Sequence, residues 1–188
     1  MLVLLRNGQS LADARQAFAG LLDPDLTSTG VAESHAVAEL LVSRHVVVDV
    51  VVTSPLARAV QTVDAIADRL SMQDLSRLVS WRLAARDLGC LTGVAKPRAM
   101  ERFGAEKMTE WRFSTDGRPP AATPEQAASW PWRPASDVVE HLPFGEGESL
   151  RHVEGRLAPL CDELRARLAT RATGLVGAHT DSLRALRP

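Results

Sequence analysis

Residues 46–62 read VVVDVVVTSPLARAVQT, and the change of character along that stretch sets the fold. Val46 to Val52 is β-branched apart from Asp49, and β-branched side chains have few rotamers to lose in a strand. Thr53-Ser54-Pro55 ends the run, and proline suits the first turn of a helix, where its missing N–H has no partner to lose. The spacing predicts a helix over about Leu56–Leu70 with Arg58 near its start. A positive side chain at the N-terminal end of a helix favours an anion there.

The same strand-then-turn pattern recurs at both ends of the chain. Leu2–Leu5 is a short continuous apolar run that breaks at Arg6-Asn7-Gly8, which reads as a buried strand followed by a glycine turn. Gly174–Ala178 predicts a third strand, ending at His179-Thr180-Asp181. Gln9–Ala19 suits a short helix or an ordered loop. Thr27-Ser-Thr-Gly30 caps a helix whose apolar positions include Val31, Val37, Ala38, Leu40 and Leu41. Further helices are expected near Lys96–Trp111 and Ser149–Leu168. The stretch 77–143 holds all four tryptophans and most of the prolines, which predicts an insertion that is irregular after its helix.

Alternating strands and helices imply an α/β fold on a mainly parallel sheet, with functional residues at the carboxyl ends of the strands. Arg6, Thr53-Ser54 leading to Arg58, and His179 are therefore expected on one edge. No internal repeat or linker divides the chain, so 1–188 is read as a single domain.

Composition excludes several functions. Among 188 residues, 22 Lys+Arg balance 23 Asp+Glu, so no global field draws the chain to nucleic acid or to a membrane surface. No apolar run approaches the roughly 18 residues of a membrane helix. The opening apolar run is too short for a secretory signal, and two cysteines without framework spacing suggest a reducing compartment. A cytoplasmic location is expected.

Seven segments run in order across nearly the whole chain: Arg6-Asn7-Gly8; Phe18-Ala-Gly20 with Asp23-Pro-Asp-Leu-Thr27-Ser-Thr-Gly30; Thr53-Ser-Pro-Leu-Ala-Arg58-Ala-Val-Gln-Thr62; Arg86-Asp-Leu-Gly89-Cys-Leu-Thr-Gly93 with Lys96; Phe103-Gly104, Trp111-Arg112 and Pro119-Pro120; Gly147-Glu-Ser-Leu150; and Ala178-His179-Thr-Asp-Ser182-Leu-Arg184. Together they resemble the histidine phosphatase superfamily, and most closely its phosphoglycerate mutases. The resemblance implies a three-layer sandwich with a lid-like insertion over the site. It also implies a nucleophilic histidine in the first motif, two arginines and a second histidine around the phosphoryl oxygens, and a carboxylic acid that protonates the leaving group. An imidazole nitrogen offers a lone pair at neutral pH, and cations stabilise charge on the phosphoryl oxygens.

Arg6, Arg58 and His179 match the phosphate-binding positions. Asn7 stands at the nucleophile and Ala85 at the acid. An amide nitrogen has its lone pair delocalised into the carbonyl, so Asn7 can hydrogen-bond a phosphate but cannot carry it covalently. Arg86, Lys96 and Arg112 remain as candidate carboxylate binders, while Ala19, Leu88, Phe113 and Thr180 depart from the mutase pattern. Asp13, Asp87 and Asp181 replace neutral residues of that pattern and are expected near the pocket, where Asp181 beside His179 would support proton transfer. Cys90 reads as a small buried residue before it reads as a nucleophile. The family's further helix and strand do not follow the closing motif, as expected of a shortened or naturally short chain.

These residues imply a pseudoenzyme that takes a small anionic or phosphorylated molecule and needs no metal or cofactor. Two alternatives stand beside it. One is a repurposed enzyme using His179 and nearby aspartates as acid and base. The other is an active mutase or phosphatase, an isomerase or hydrolase, in which Asn7 replaces an original histidine. The tryptophan-bearing insertion also fits a homodimer or protein-partner surface.

Overall fold

The computed structural model describes residues 1–133, 136–142, 144–169 and 172–186. Pro143, the far limit expected for the insertion, lies outside them, as does Pro188. Four strands, β1 (Leu2–Arg6), β2 (Val50–Thr53), β3 (Arg77–Val79) and β4 (Gly174–Ala178), form an all-parallel sheet in the order β1-β4-β2-β3.

Side-chain alternation sorts the sheet into two faces. Val3, Leu5, Val51 and Leu175 pack with α2 (Ser28–Ser43) and α3 (Ala57–Leu70). Leu4, Val52, Val176 and Ala178 pack against α7 (Leu150–Leu168) and α8 (Thr180–Ala185). Neighbouring residues of one strand point to opposite faces, so each buried strand feeds two apolar layers and the three-layer sandwich follows. Strands covered on both sides are expected to be near-continuous apolar runs, as β4 is throughout and β1 and β2 are up to their last residues, Arg6 and Thr53.

Two expectations need correction. Only the second half of the Val46–Val52 run joins the sheet. His45 takes a left-handed φ of 54°, and Val46 N–H closes back on Leu41 O, ending α2. Val48 is buried against that helix while Val47 points to solvent. The ladder starts where β4 starts, with Val50 beside Gly174. The second correction is that β3 belongs to the main sheet, so the segment outside it begins after Val79 and Gly174–Ala178 is the fourth strand. β3 is a three-residue edge strand, too short to show a period.

Beyond the sheet lie α4 (Lys96–Phe113), bent at Gly104 with φ 75°, and the short helices α5 (Pro124–Ala128) and α6 (Ser136–Val139). The turn after β1 leads into α1 (Leu11–Ala14), capped by Ser10, and α2 is capped by Thr27, whose hydroxyl accepts Gly30 N–H at 3.1 Å. The first turn of α2 crosses residues 8–9 at backbone contact. A Cβ on Gly30 would run into the Gln9 carbonyl oxygen, and a Cβ on Gly8 into the Gly30 carbonyl. That contact holds the loop carrying Asn7 against the sheet. Gly155, by contrast, is exposed in the middle of α7 with open space around it.

The two glycines therefore predict substitutions of opposite sign. Gly30→Ala should lose about 1–3 kcal/mol through overpacking, and Gly155→Ala should gain about 0.5–1 kcal/mol by restricting the unfolded chain. Urea denaturation of the two variants beside the parent checks both signs.

Candidate functional site

The parallel register brings three strand ends together. Arg6 pairs with Ala178 and Thr53 with Gly177, so Asn7, Ser54 and His179 are the first residues beyond β1, β2 and β4. All three are buried and joined in one hydrogen-bonded row. Asn7 Nδ2 donates to Gly8 O at 2.9 Å, which leaves Asn7 Oδ1 as the acceptor of the 2.9 Å contact with His179 Nδ1. That assignment places the imidazole proton on Nδ1 and leaves Nε2 to accept from Ser54 Oγ at 2.9 Å. Ser54 Oγ also accepts Leu56 N–H at 3.2 Å. Burial, reinforced by the charges of Arg58, Arg156 and Arg6, holds His179 well below the usual imidazole range. The ring is neutral at pH 7 with both nitrogens in use.

Around this row lies an open cleft of about 180 Å³, lined by Arg6, Asn7, Arg58, Arg86, Lys96, Arg112, His179, Asp13 and Asp181 among others. Of the site residues expected from the sequence, all but Asp87 are thus brought to one place. Their partners were not expected. Arg6 donates from Nε to Thr180 Oγ1 at 3.1 Å and from Nη2 to Asp13 Oδ1 at 3.1 Å. Arg58 is buried and spends two of its N–H groups on Leu22 O at 2.8 Å and Gly20 O at 2.9 Å. Burial lowers its pKa to about 10, so it stays charged at neutral pH. The N-terminal end of α3 is also taken: Ala57 N–H donates to Asp23 Oδ1 at 2.6 Å. A carboxylate of the chain itself sits where the sequence suggested a bound anion.

Asp13 has two tasks. Its Oδ2 closes the capping box of α1, accepting Ser10 N–H at 3.0 Å and Ser10 Oγ–H at 2.7 Å, while Oδ1 meets Arg6. Burial alone would raise its pKa; the Ser10 hydrogen bonds, with Arg6 and Lys96, outweigh that and hold it below the ordinary carboxylate value. Asp181, in the first turn of α8, lies 3.0 Å from Arg86 Nε and 3.5 Å from Arg184. The Arg86 contact is an ion pair in distance only, because Nε–H does not point at the oxygen. Among the described residues Arg86 Nε and Nη1 have no hydrogen-bond acceptor, although the residue is only 2% exposed. Lys96 and Arg112 flank the Phe18 ring at 6.0 and 5.4 Å from its centroid.

Asp87 is a correction. It does not line the cleft; its carboxylate accepts Gly89 N–H at 3.0 Å and Gly147 N–H at 3.1 Å, fastening residues 87–89 to the Gly147–Leu150 segment. Burial raises its pKa against those bonds. Next to it, Glu148 accepts Asp87 N–H at 2.9 Å and pairs with Arg156 at 3.0 Å, a nearly buried ion pair whose guanidinium also reaches the carbonyls of Arg82, Ala84 and Ala85. This clamp fixes the loop that aims Arg86. Cys90 packs with Phe18, Leu91, Ala99, Met108 and Trp111, and burial pushes its thiol pKa up, which suits an inert packing role. Ala85 is buried among Leu21, Leu56, Val138 and Leu142. Sequence reasoning missed Ser54 and Asp23 as partners, and Arg156 altogether. For Ser54 the signal was present, since it holds the same place after β2 as Asn7 and His179 hold after theirs.

A profile of the histidine phosphatase superfamily (branch 1) matches residues 2–129. A 2,3-bisphosphoglycerate-dependent phosphoglycerate mutase of Corynebacterium efficiens is 37% identical over 190 residues, covering 98% of this chain and 74% of that one. The protein of the same name from Staphylococcus carnosus is 37% identical over 187 residues, covering 98% and 82%. Among solved structures, a phosphoglycerate mutase from Bacillus anthracis superposes with a TM-score of 0.73 at 16% identity, covering 98% of this chain and 77% of that one. A mycobacterial glucosyl-3-phosphoglycerate phosphatase gives a TM-score of 0.72 at 24% identity, covering 98% and 78%. These two structures share the fold. No described helix is long and apolar enough to cross a membrane.

The buried neutral imidazole carries a pH dependence. Its folded pKa lies below the unfolded value of about 6.5, so the unfolded chain binds the extra proton and stability falls as pH drops below about 6.5. One such group contributes at most about 1.4 kcal/mol per pH unit. The parent should lose stability between pH 7 and 5 more steeply than His179→Gln, as read from urea midpoints at each pH. Parallel slopes would contradict a neutral His179.

Proposed function

Because the chain belongs to the histidine phosphatase superfamily, we propose that it holds a small phosphorylated or carboxylated anion in the Arg86–Lys96–Arg112 part of the cleft without passing a phosphoryl group through a phosphohistidine. The carrying observation is Asn7. At the position where the resemblance puts the nucleophile, its carbonyl accepts from His179 and its NH2 donates to Gly8 O. An amide in those bonds has no lone pair to offer phosphorus. At the position of the acid, Ala85 supplies a methyl group to an apolar cluster.

Anion binding has support of a different kind. Five cations line the cleft against two carboxylates, and Arg86, although buried, has two nitrogens without an acceptor among the described residues. A buried donor without an acceptor costs free energy that an incoming oxyanion would recover. Asp13 hydrogen-bonds Arg6, and Asp181 sits 3.0 Å from Arg86 without a hydrogen bond, so an incoming anion meets the charge of the chain's own carboxylates beside two of the arginines. This makes the pair act as a brake on anion affinity.

A second reading, a working mutase or phosphatase, is favoured by the names of the relatives that match along 98% of the chain. It requires a phosphoryl acceptor other than residue 7. The third, acid–base chemistry by His179 and Asp181, requires His179 to release Asn7 or Ser54 and Asp181 to leave Arg86.

Titration calorimetry with 3-phosphoglycerate tests the proposal. Asp13→Asn/Asp181→Asn should bind about tenfold more tightly than the parent, and Arg86→Gln about tenfold more weakly. Neither parent nor double variant should hydrolyse p-nitrophenyl phosphate. Equal affinity in all three proteins, or turnover by the parent, would contradict the proposal.

A further inference from the structure

On the far side of the cleft wall lies a second and larger cavity, of about 430 Å³, which none of the family resemblance accounts for. The wall is a short ladder: Phe18 N–H donates to Val94 O at 3.0 Å, Gly93 N–H to Phe18 O at 2.7 Å, and Ala17 bridges Ala95. Helix α4 starts at this wall and serves both spaces, with Lys96 lining the cleft and Arg98 and Arg102 lining the cavity. The opposite side of the cavity is α5 and the residues just after it, through Trp130 to Pro131.

Three features define what would fit. Arg98 and Arg102 are four residues apart, hence on one face of the helix, and like charges so placed repel. Among the described residues neither lies within ion-pair distance of a carboxylate; Arg102 has only the face of Phe103, at 4.9 Å. Trp130 is fixed before any ligand arrives, edge-on to Phe144 at 4.8 Å, with its Cδ1 so close to Gly93 that a Cβ there would fall within 2.9 Å. Finally, the volume lies in the range of about 300–1,000 Å³ usual for small-molecule sites. Two exposed guanidiniums without a carboxylate partner among the described residues are free to hold an oxyanion bidentately. A rigid indole beside them offers a surface to a flat ring.

We propose that this cavity is a second binding site, separate from the cleft, for an aromatic phosphate of the size of a nucleoside monophosphate. Arg98 and Arg102 hold the phosphate, and Trp130 packs on the ring. The site is independent of any chemistry at Asn7.

The experiment is a calorimetric titration with AMP, and with adenosine and inorganic phosphate as the half-ligands, of the intact chain and of Arg86→Gln/Arg112→Gln, in which the cleft's hold on phosphate is weakened and the half-ligands are compared. The expected result is a dissociation constant of about 0.1–1 mM for AMP and binding at least tenfold weaker for either half. Arg98→Gln/Arg102→Gln, which changes two exposed side chains, should weaken AMP at least tenfold. Arg86→Gln/Arg112→Gln, confined to the cleft, should leave AMP binding unchanged. The proposal is overturned by no AMP binding up to a few mM, by adenosine or phosphate binding as well as AMP, or by AMP affinity that follows the cleft variant and ignores Arg98 and Arg102.

Discussion

The row Asn7–His179–Ser54 ties the ends of β1, β4 and β2, and the geometry of the site depends on it. Each residue is the first after its strand, so the parallel register alone brings them within reach. Buried polar groups must be satisfied, and here the three satisfy one another in a sequence that fixes the tautomer of the imidazole. Arg6 leaves the same edge toward Thr180 and Asp13, and Arg58 rises from α3 to hold the carbonyls of Gly20 and Leu22. The outcome is a cation-lined cleft whose floor is locked and whose cations are partly spoken for.

On the reading proposed above, Asn7 matters in two ways. Asn7 removes the lone pair that phosphoryl transfer would use, and it also supplies a carbonyl that anchors His179. The family's fold and most of its charged positions persist around it. On the same reading, the cleft's charges serve to hold a ground-state anion, a task that needs donors and no nucleophile. The aspartates at 13 and 181 fit the same account, since they keep buried or half-buried arginines paired when no ligand is bound.

Much of this was legible in the sequence, because it depended on strand ends. Arg6, Arg58, Arg86, Lys96, Arg112, His179, Asp13 and Asp181 do meet in one cleft. What could not be read was which partner each would choose. Asp23 reaching the N-terminal end of α3 across 34 residues, or Arg156 reaching the carbonyls of Arg82, Ala84 and Ala85 across more than 70, depends on segments far apart in sequence, for which neither period nor propensity gives a sign. Asp87 looked like a pocket residue from its place in the motif, yet the left-handed Gly89 turns the chain so that its carboxylate faces two glycine amides. Val46–Val48 had every strand property except a neighbour to pair with.

The central claim is that residue 7 carries no phosphoryl group. The direct measurement is a rapid-quench incubation of the parent chain and Asn7→His/Ala85→Glu with 32P-labelled 2,3-bisphosphoglycerate, followed by counting of acid-labile label on the protein. The account predicts label on the double variant and none on the parent. Stoichiometric acid-labile label on the parent would contradict it.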